Sequence, residues 1–324
     1  MQSIPEAYAE LRGLKMESTR ASRPLPSIQA VVVLYRCELS ASQSVSSLVH
    51  LLNENPEFAG RLSLMLYDNS PQAHACNLQA NFPIEYIHDA SNGGLASAYN
   101  TALRRAESDG HEWLLLLDQD TSPTREFLFE LLETATSLHA TDEVAAIVPK
   151  LVVHGVIHSP ATQFIIQMRR QFRRPAKPIA QDAVGVLQQP LSAYNSGATI
   201  RVSGLRSIGG FPPEFWLDYL DHAVFHALYV RGYRIHVMLA KLMHEASYSD
   251  PGSVPFWRLH NVLMAQTLYV KRSGNVMDRL LYRIWLLRHS RNFRKGEKNR
   301  RMWRETVLQA FLLRVPKQSA RGER

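Results

Sequence analysis

The stretch WLLLLDQD at 113–120 limits the folds open to this chain more than any other. Four consecutive leucines behind a tryptophan read as a strand buried on both faces, the pattern of a parallel sheet covered by helices. The run stops at Asp118 and Asp120, with Thr121-Ser122-Pro123 behind them as a turn. Residues two apart in extended chain point the same way, so the strand delivers two carboxylates to one spot at its carboxyl end. Ligands of open α/β sheets bind at that end. Two hard oxygen donors there suit a divalent cation carrying a diphosphate. An ordinary strand closed by an acidic turn is written with the same letters.

The chain around this strand alternates. Apolar runs at 28–35, 62–67, 84–88, 144–148 and 233–238 read as further strands, and helical spacing predicts helices over 40–53, 95–107, 125–139 and 221–230. That order means an α/β fold, a mostly parallel sheet sandwiched by helices with right-handed crossovers. Pro149 is expected to close the strand before it. Residues 151–190, with four prolines and the pairs Arg169-Arg170 and Arg173-Arg174, read as an irregular, strand-rich excursion over one face. The segment 194–202 returns to the sheet.

The net charge of +8 is uneven: residues 256–324 carry 17 Lys/Arg against 4 Asp/Glu, and the remainder 20 against 25. Such a tail calls for an anionic partner, either lipid headgroups or nucleic acid. Helices are expected over 276–289 and 302–315. In the first, Arg279 and Arg283 fall on one side, and Leu280, Leu281, Ile284 and Leu287 on another. Basic amphipathic helices of this kind lie on an anionic membrane surface; two helices packed on the domain beside a solvated basic loop fit the letters equally. No apolar run approaches the roughly 18 residues of a membrane span. The first 27 residues are polar and lack the apolar core of a signal peptide. Cys37 and Cys76 point to neither a disulfide scaffold nor a zinc site, and suit a reducing cytoplasm. The expected division is a leader at 1–27, a catalytic domain at 28–255 and a basic helical extension at 256–324.

Several polar residues sit where such a sheet keeps its site. Asp68 follows the second strand, placed to hydrogen-bond a base edge or simply to form a turn with Asn69. Asn92-Gly93-Gly94 opens a helix and lets backbone approach a phosphate, or is a plain helix start. Asn100 lies within that helix, where Asn is a poor former. Asp218 and Asp221 flank another helix start; they are helix caps or, alternatively, a general base aimed into a cleft. His244 is one of 13 histidines and has no signal of its own. No G-x-G-x-x-G follows the first strand, where 34–39 reads LYRCEL, which argues against a dinucleotide-dependent dehydrogenase.

Taken in order, VVVLYR at 31–36, LYDNS at 66–70, NGGLASAYNTAL at 92–103, LLLLDQDT at 114–121, NSGATI at 195–200, GGFPPEFWLDYLDH at 209–222, RGYRI at 231–235 and His244 form a specific set. The set resembles family 2 glycosyltransferases with the GT-A (nucleotide-diphospho-sugar transferase) fold, and among them the rhamnosyltransferases of bacterial surface polysaccharides. The resemblance implies that Tyr35 and Asp68 hold the nucleotide base and ribose, with Asn92, Gly93 and Asn100 in the block lining the donor site. It implies that Asp118 contacts the ribose or the metal shell, and that Asp120 and a late histidine, His244, ligate Mg2+ or Mn2+. Asp221 aligns with the catalytic base, with Asp218 beside it. The donor implied is a nucleotide-diphosphate sugar, dTDP-L-rhamnose, and the acceptor a glycan or lipid-linked chain at the inner face of the plasma membrane. No nucleic acid is expected. Ala223 and Ala227 depart from the family, standing where it usually carries an acid and an arginine. Two alternatives follow: an inactive relative that only binds, and a nucleic-acid-binding protein that uses the basic tail.

Overall fold

The computed structural model describes residues 25–171, 182–243, 255–293 and 297–315. The expected leader up to residue 24, the pair Arg173-Arg174 and His244 therefore lie outside the described residues. The first half of the chain runs β1 (Ile28–Leu34), α1 (Gln43–Glu54), α2 (Pro56–Ala59), β2 (Leu62–Asp68), β3 (Ile84–His88), α3 (Gly94–Ser108), β4 (Trp113–Asp118) and α4 (Arg125–Ser137). Then come β5 (Val144–Val153), β6 (Val156–Ser159), β7 (Ala161–Thr162), α5 (Phe164–Gln171), β8 (Gly185–Leu187), β9 (Leu191–Ser192), β10 (Thr199–Arg201), α6 (Val202–Ile208), α7 (Leu220–Val230) and β11 (Arg234–Met243). Three helices follow: α8 (Phe256–Ser273), α9 (Val276–Ser290) and α10 (Glu297–Leu312).

The main sheet has the order β3-β2-β1-β4-β10-β5-β11-β8, with β6 paired to β5. Its centre is the leucine run. Trp113 to Leu117 are all fully buried, and they alternate between two cores. Leu114 and Leu116 join the cluster on one face, Trp113, Leu115 and Leu117 the cluster on the other. A two-sided burial of this kind is why the run is apolar without alternation. Helices cover both faces by the stripes that the spacing requires. Phe127, Leu128, Leu131 and Leu132 of α4 are buried, and the helix starts where the Thr124 side chain accepts from the Phe127 amide at 3.2 Å.

The sheet is mixed rather than nearly parallel. β1, β2, β3 and β4 run parallel, but β10 is antiparallel to both β4 and β5. β6 and β8 are also antiparallel to their partners. Strand direction depends on where the chain re-enters the sheet, which a three-residue segment, Thr199–Arg201, cannot encode. Here it re-enters from the carboxyl end of β4, with the Gly197 amide donating to the Leu116 carbonyl at 2.8 Å and the Leu116 amide to the Ala198 carbonyl at 2.9 Å. The consequence is functional: residues 194–198 are laid over the acidic end of β4.

Pro149 does not end β5, which continues to Val153. A proline needs a place where no ladder donor is required. It has one opposite the irregularity between Val237 and Lys241 of β11, where pairing skips from Val148 to Lys150. The excursion after β5 includes a helix, α5, as well as short strands. Arg169 grips Asp278 of α9 with two parallel bonds of 2.5 and 2.6 Å. The closing helices share the main core, since Tyr269, Tyr282, Leu286, Met302 and Ala310 belong to the same cluster as the sheet residues. The inward face of α9 is Tyr282 and Leu286, while Leu280, Ile284 and Leu287 of the expected apolar face are exposed. Burial chose the aromatic side because α5 and α8 offer it partners: Phe164 meets Tyr282 edge-on, with ring centroids 6.3 Å apart, and Thr267 lies 3.1 Å from the Tyr282 hydroxyl.

Candidate active site

A cleft of about 660 Å³ opens at the carboxyl ends of β1 and β4. Its walls include Tyr35, Asn69, Asn92, Asp118, Asp120 and, from the segment before and into α7, Trp216, Asp218 and Asp221. Acids from β4 and from the start of α7, a hundred residues apart in sequence, therefore share one hollow. A buried phenol reports the same convergence. Burial first, and then the charges of Asp118 and Asp221, raise the Tyr99 pKa well above its ordinary value.

Asp118, at the end of β4, is fixed by hydroxyls on both sides. Ser196, on the segment carried in by β10, donates its Oγ to Asp118 Oδ2. Ser44, in the first turn of α1, donates to the Asp118 carbonyl and, at 2.7 Å, to the Thr121 carbonyl. Ser42 donates to the Gln119 carbonyl at 2.8 Å, and the Tyr35 amide to Gln119 Oε1 at 2.9 Å. The strand end is thereby stapled to the turn after β1. Asp120 stands on the cleft wall, and with Glu38 and Asp68 it adds to burial in pushing the Cys37 thiol up.

Asp68 is fully buried and does not line the cleft. It accepts from the Ser70 amide at 2.8 Å and the Tyr86 hydroxyl at 2.6 Å, and lies 2.9 Å from His74 Nδ1. Burial alone would raise its pKa, but the bonds from Ser70, Tyr86 and His74 outweigh it and hold the carboxyl below the usual range. Burial and the bond to Asp68 push the Tyr86 phenol up to about 12. Asp68 thus fixes the turn that presents Asn69 to the cleft. Asn69 is buried and its Oδ1 has no partner among the described residues.

The loop before α3 is clamped by Trp216. The indole donates to the Asn92 carbonyl at 2.9 Å, and the Trp216 carbonyl accepts from the Leu95 amide at 2.8 Å. Gly94 makes this possible: its φ is +77°, and a Cβ there would lie 2.2 Å from the Trp216 carbonyl oxygen. Gly94→Ala is expected to cost about 1–2 kcal/mol in the left-handed backbone region alone, and to push the loop away from Trp216. Chemical denaturation checks the first part; an unchanged midpoint contradicts the clamp. Gly93 donates its amide to Asp89 at 3.3 Å, and Asn100 has both ends of its side chain on the Phe211 backbone, at 2.7 and 2.9 Å. Neither lines the cleft; they brace the loop at 92–95 from behind.

On the other side of the hollow, Asp218 is paired with Arg258 of α8 at 2.5 Å. Asp221 lies in the first turn of α7, its Oδ1 accepting from the amide of His222 at 2.7 Å. Tyr219, in left-handed backbone with φ +61°, turns the chain into that helix and stacks on His222 at 4.8 Å between centroids. Ala223 and Ala227 face away: they line a second hollow of about 380 Å³ with Pro212, Pro213 and Arg272.

Among the cleft residues that carried no role in the sequence reading are Ser196, Trp216, His222 and Arg258. The first three lie within matched segments, but only the backbone path shows which side chains turn inward. Arg258 had no signal, being one cation in a basic tail.

Asp118 and Asp120 fit a divalent cation. They are hard oxygen donors at a rigid strand end, and among the described residues no third His, Cys, Asp or Glu gathers with them into a ready cage. An ion that keeps several waters and is bound by one or two carboxylates plus substrate phosphates has this donor set.

Residues 64–186 match the family model described as Glycosyl transferase family 2. No curated protein matches the chain. Among solved structures, S. aureus TarS 1–349 is similar at 16% identity and a TM-score of 0.54, over 90% of this chain and 81% of that one. The mannosyltransferase PcManGT from Pyrobaculum calidifontis, in complex with GDP-Man and Mn2+, is similar at 14% identity and a TM-score of 0.51, over 95% and 87%. GalNAc-T7 with UDP, GalNAc and Mn2+ is similar at 12% identity and a TM-score of 0.52, over 89% and 56%. At these identities the likeness is one of fold, a GT-A-like mixed sheet flanked by helices. None of the three is named as a rhamnosyltransferase.

Proposed function

We propose that the chain is an inverting, metal-dependent glycosyltransferase that moves a sugar from a nucleotide-diphosphate donor to a glycan or lipid-linked acceptor in cell-surface glycan synthesis. The observation that carries this reading is the meeting of Asp118, Asp120 and Asp221 in one cleft. The unpartnered Asn69 Oδ1 and the loop at 92–95 supply the nucleotide side. The catalytic unit is residues 28–255, with the extension at 256–324 built onto its core.

Asp120 and Asp118 would hold the Mg2+ or Mn2+ ion, with His244, the residue after β11, as the further ligand. The ion when bound supplies Lewis-acid neutralisation of the diphosphate. Asp221 takes the proton of the acceptor hydroxyl as that oxygen bonds to the anomeric carbon. The bond from that carbon to the diphosphate breaks, and its electron pair leaves with the phosphate oxygen. One displacement with one base inverts the anomeric carbon, by the logic of inverting glycosidases. Trp216 and Ser196 hold the two walls in register. The donor we favour is dTDP-L-rhamnose, because the ordered set of motifs resembles that of rhamnosyltransferases.

The departures at Ala223 and Ala227 leave the cleft lining unchanged, because neither position belongs to it. The test is a panel of dTDP-, UDP- and GDP-sugars incubated with the full chain and Mn2+ or Mg2+. Metal-dependent release of nucleoside diphosphate from one donor is expected, abolished by chelation. Release from no donor, with or without glycan acceptors, overturns the reading.

A further inference from the structure

The last two helices carry more apolar surface than their packing uses. Tyr282 and Leu286 of α9, with Met302 and Ala310 of α10, complete the main core. On the outer side Leu280, Ile284 and Leu287 of α9 are exposed, as are Leu308, Phe311 and Leu312 of α10, with Phe311 64% accessible. Within each helix the spacing is that of one face. The two stripes adjoin, because the Arg283 guanidinium donates to the Ala310 carbonyl at 2.8 Å and to that of Phe311. A contiguous apolar face rimmed by polar groups marks an interaction site.

The rim identifies the partner. Arg279, Arg288 and Arg291 on the α9 side, and Arg300, Arg301 and Arg304 on α10, are exposed. The whole segment from residue 256 has 17 basic and 4 acidic residues. A second copy laid on this face would set like charge against like. Anionic headgroups would neutralise it while their acyl boundary takes the apolar stripe. Among the described residues no helix is long and apolar enough to cross a membrane, so the contact is one of lying on the surface.

We infer that the joined outer faces of α9 and α10 form a docking surface for an anionic lipid bilayer. The surface is tied to the cleft. Tyr282 donates to Gln266 at 3.0 Å, and Gln266 donates at 2.6 Å to Tyr219, which lines the cleft. Docking through α9 therefore holds the cleft at a fixed attitude to the lipid, as a lipid-linked acceptor requires; that clause rests on the transferase reading.

The test is flotation of the full chain with vesicles of phosphatidylcholine alone or mixed with phosphatidylglycerol. Binding to the anionic vesicles only, released by salt, is expected. The triple variant Leu280→Glu, Ile284→Glu, Phe311→Glu, checked for unchanged helicity, should bind about a hundredfold more weakly, each side chain replacing buried apolar area by charge. A second variant, Arg300→Glu, Arg301→Glu, Arg304→Glu, should lose a similar factor, since each cation near an anionic surface is worth about fivefold. Equal binding to neutral vesicles, equal binding by wild type and both variants, or preference for duplex DNA overturns the inference. So does a wild-type dimer that the first variant dissociates while neither floats. Flotation needs no turnover, so it can fail while the donor panel succeeds, and the reverse.

Discussion

Asp221→Asn is expected to lower sugar transfer by about a thousandfold, within the range that removal of a general base produces, while the affinity for nucleoside diphosphate stays unchanged. The substitution is close to isosteric, and the amide oxygen can still accept from the His222 amide that Asp221 now binds at 2.7 Å. The first turn of α7 therefore survives, and only the capacity to take a proton is lost. Asp218, beside it, is already committed to Arg258 at 2.5 Å, which leaves Asp221 as the freer base. Single-turnover transfer and calorimetric nucleotide binding, measured on the same preparation, separate the two effects. Unchanged turnover would remove Asp221 from the chemistry.

The second large effect is expected at Asp120. Asp120→Ala removes one of the two carboxylates of the proposed metal site, and should lower kcat/KM by about a hundredfold or more, since Lewis-acid stabilisation of the leaving charge is worth several kcal/mol. Asp118 cannot substitute fully, because its Oδ2 is engaged by Ser196. Loss should appear with Mn2+ and Mg2+ alike, and raising the metal concentration should restore only part of it. A variant with wild-type kcat/KM at limiting metal contradicts the assignment.

Much of the fold is legible in the sequence, for physical reasons that differ along the chain. The run at 113–117 declares a strand buried on both faces because no polar residue interrupts it, and all five side chains are fully buried. The alternation expected to aim both acids of the D-x-D does not extend that far: β4 ends at Asp118 and residues 119–120 form a turn, which still leaves Asp120 on the cleft wall. β10 was not readable as antiparallel: three residues state burial, not direction, and direction is what brings Ser196 to Asp118. Pro149 misled because its missing donor is absorbed by an irregularity on β11, a neighbour distant in sequence. In α9 the expected apolar side, Leu280, Ile284 and Leu287, is exposed, and the opposite side packs inward. That choice was settled by the aromatic residues Phe164 and Trp285, whose ring centroids lie 5.3 Å apart. Asn100 looked kept for a contact, and it has one, with the Phe211 backbone. Asp221 was readable as a helix-start acid, while its meeting with Asp118 around Tyr99 depends on the folded chain.

The central claim is that acids from β4 grip a cation-bound diphosphate in the cleft that Asp221 also lines. Calorimetric titration of dTDP, UDP and GDP into the wild-type chain and Asp120→Ala, each with and without Mn2+, tests it most directly. The account expects Mn2+ to tighten binding of at least one nucleotide about tenfold or more in the wild type, and to change nothing in the variant. Equal affinities with and without Mn2+ in the wild type, or a metal effect that persists undiminished in Asp120→Ala, would contradict it.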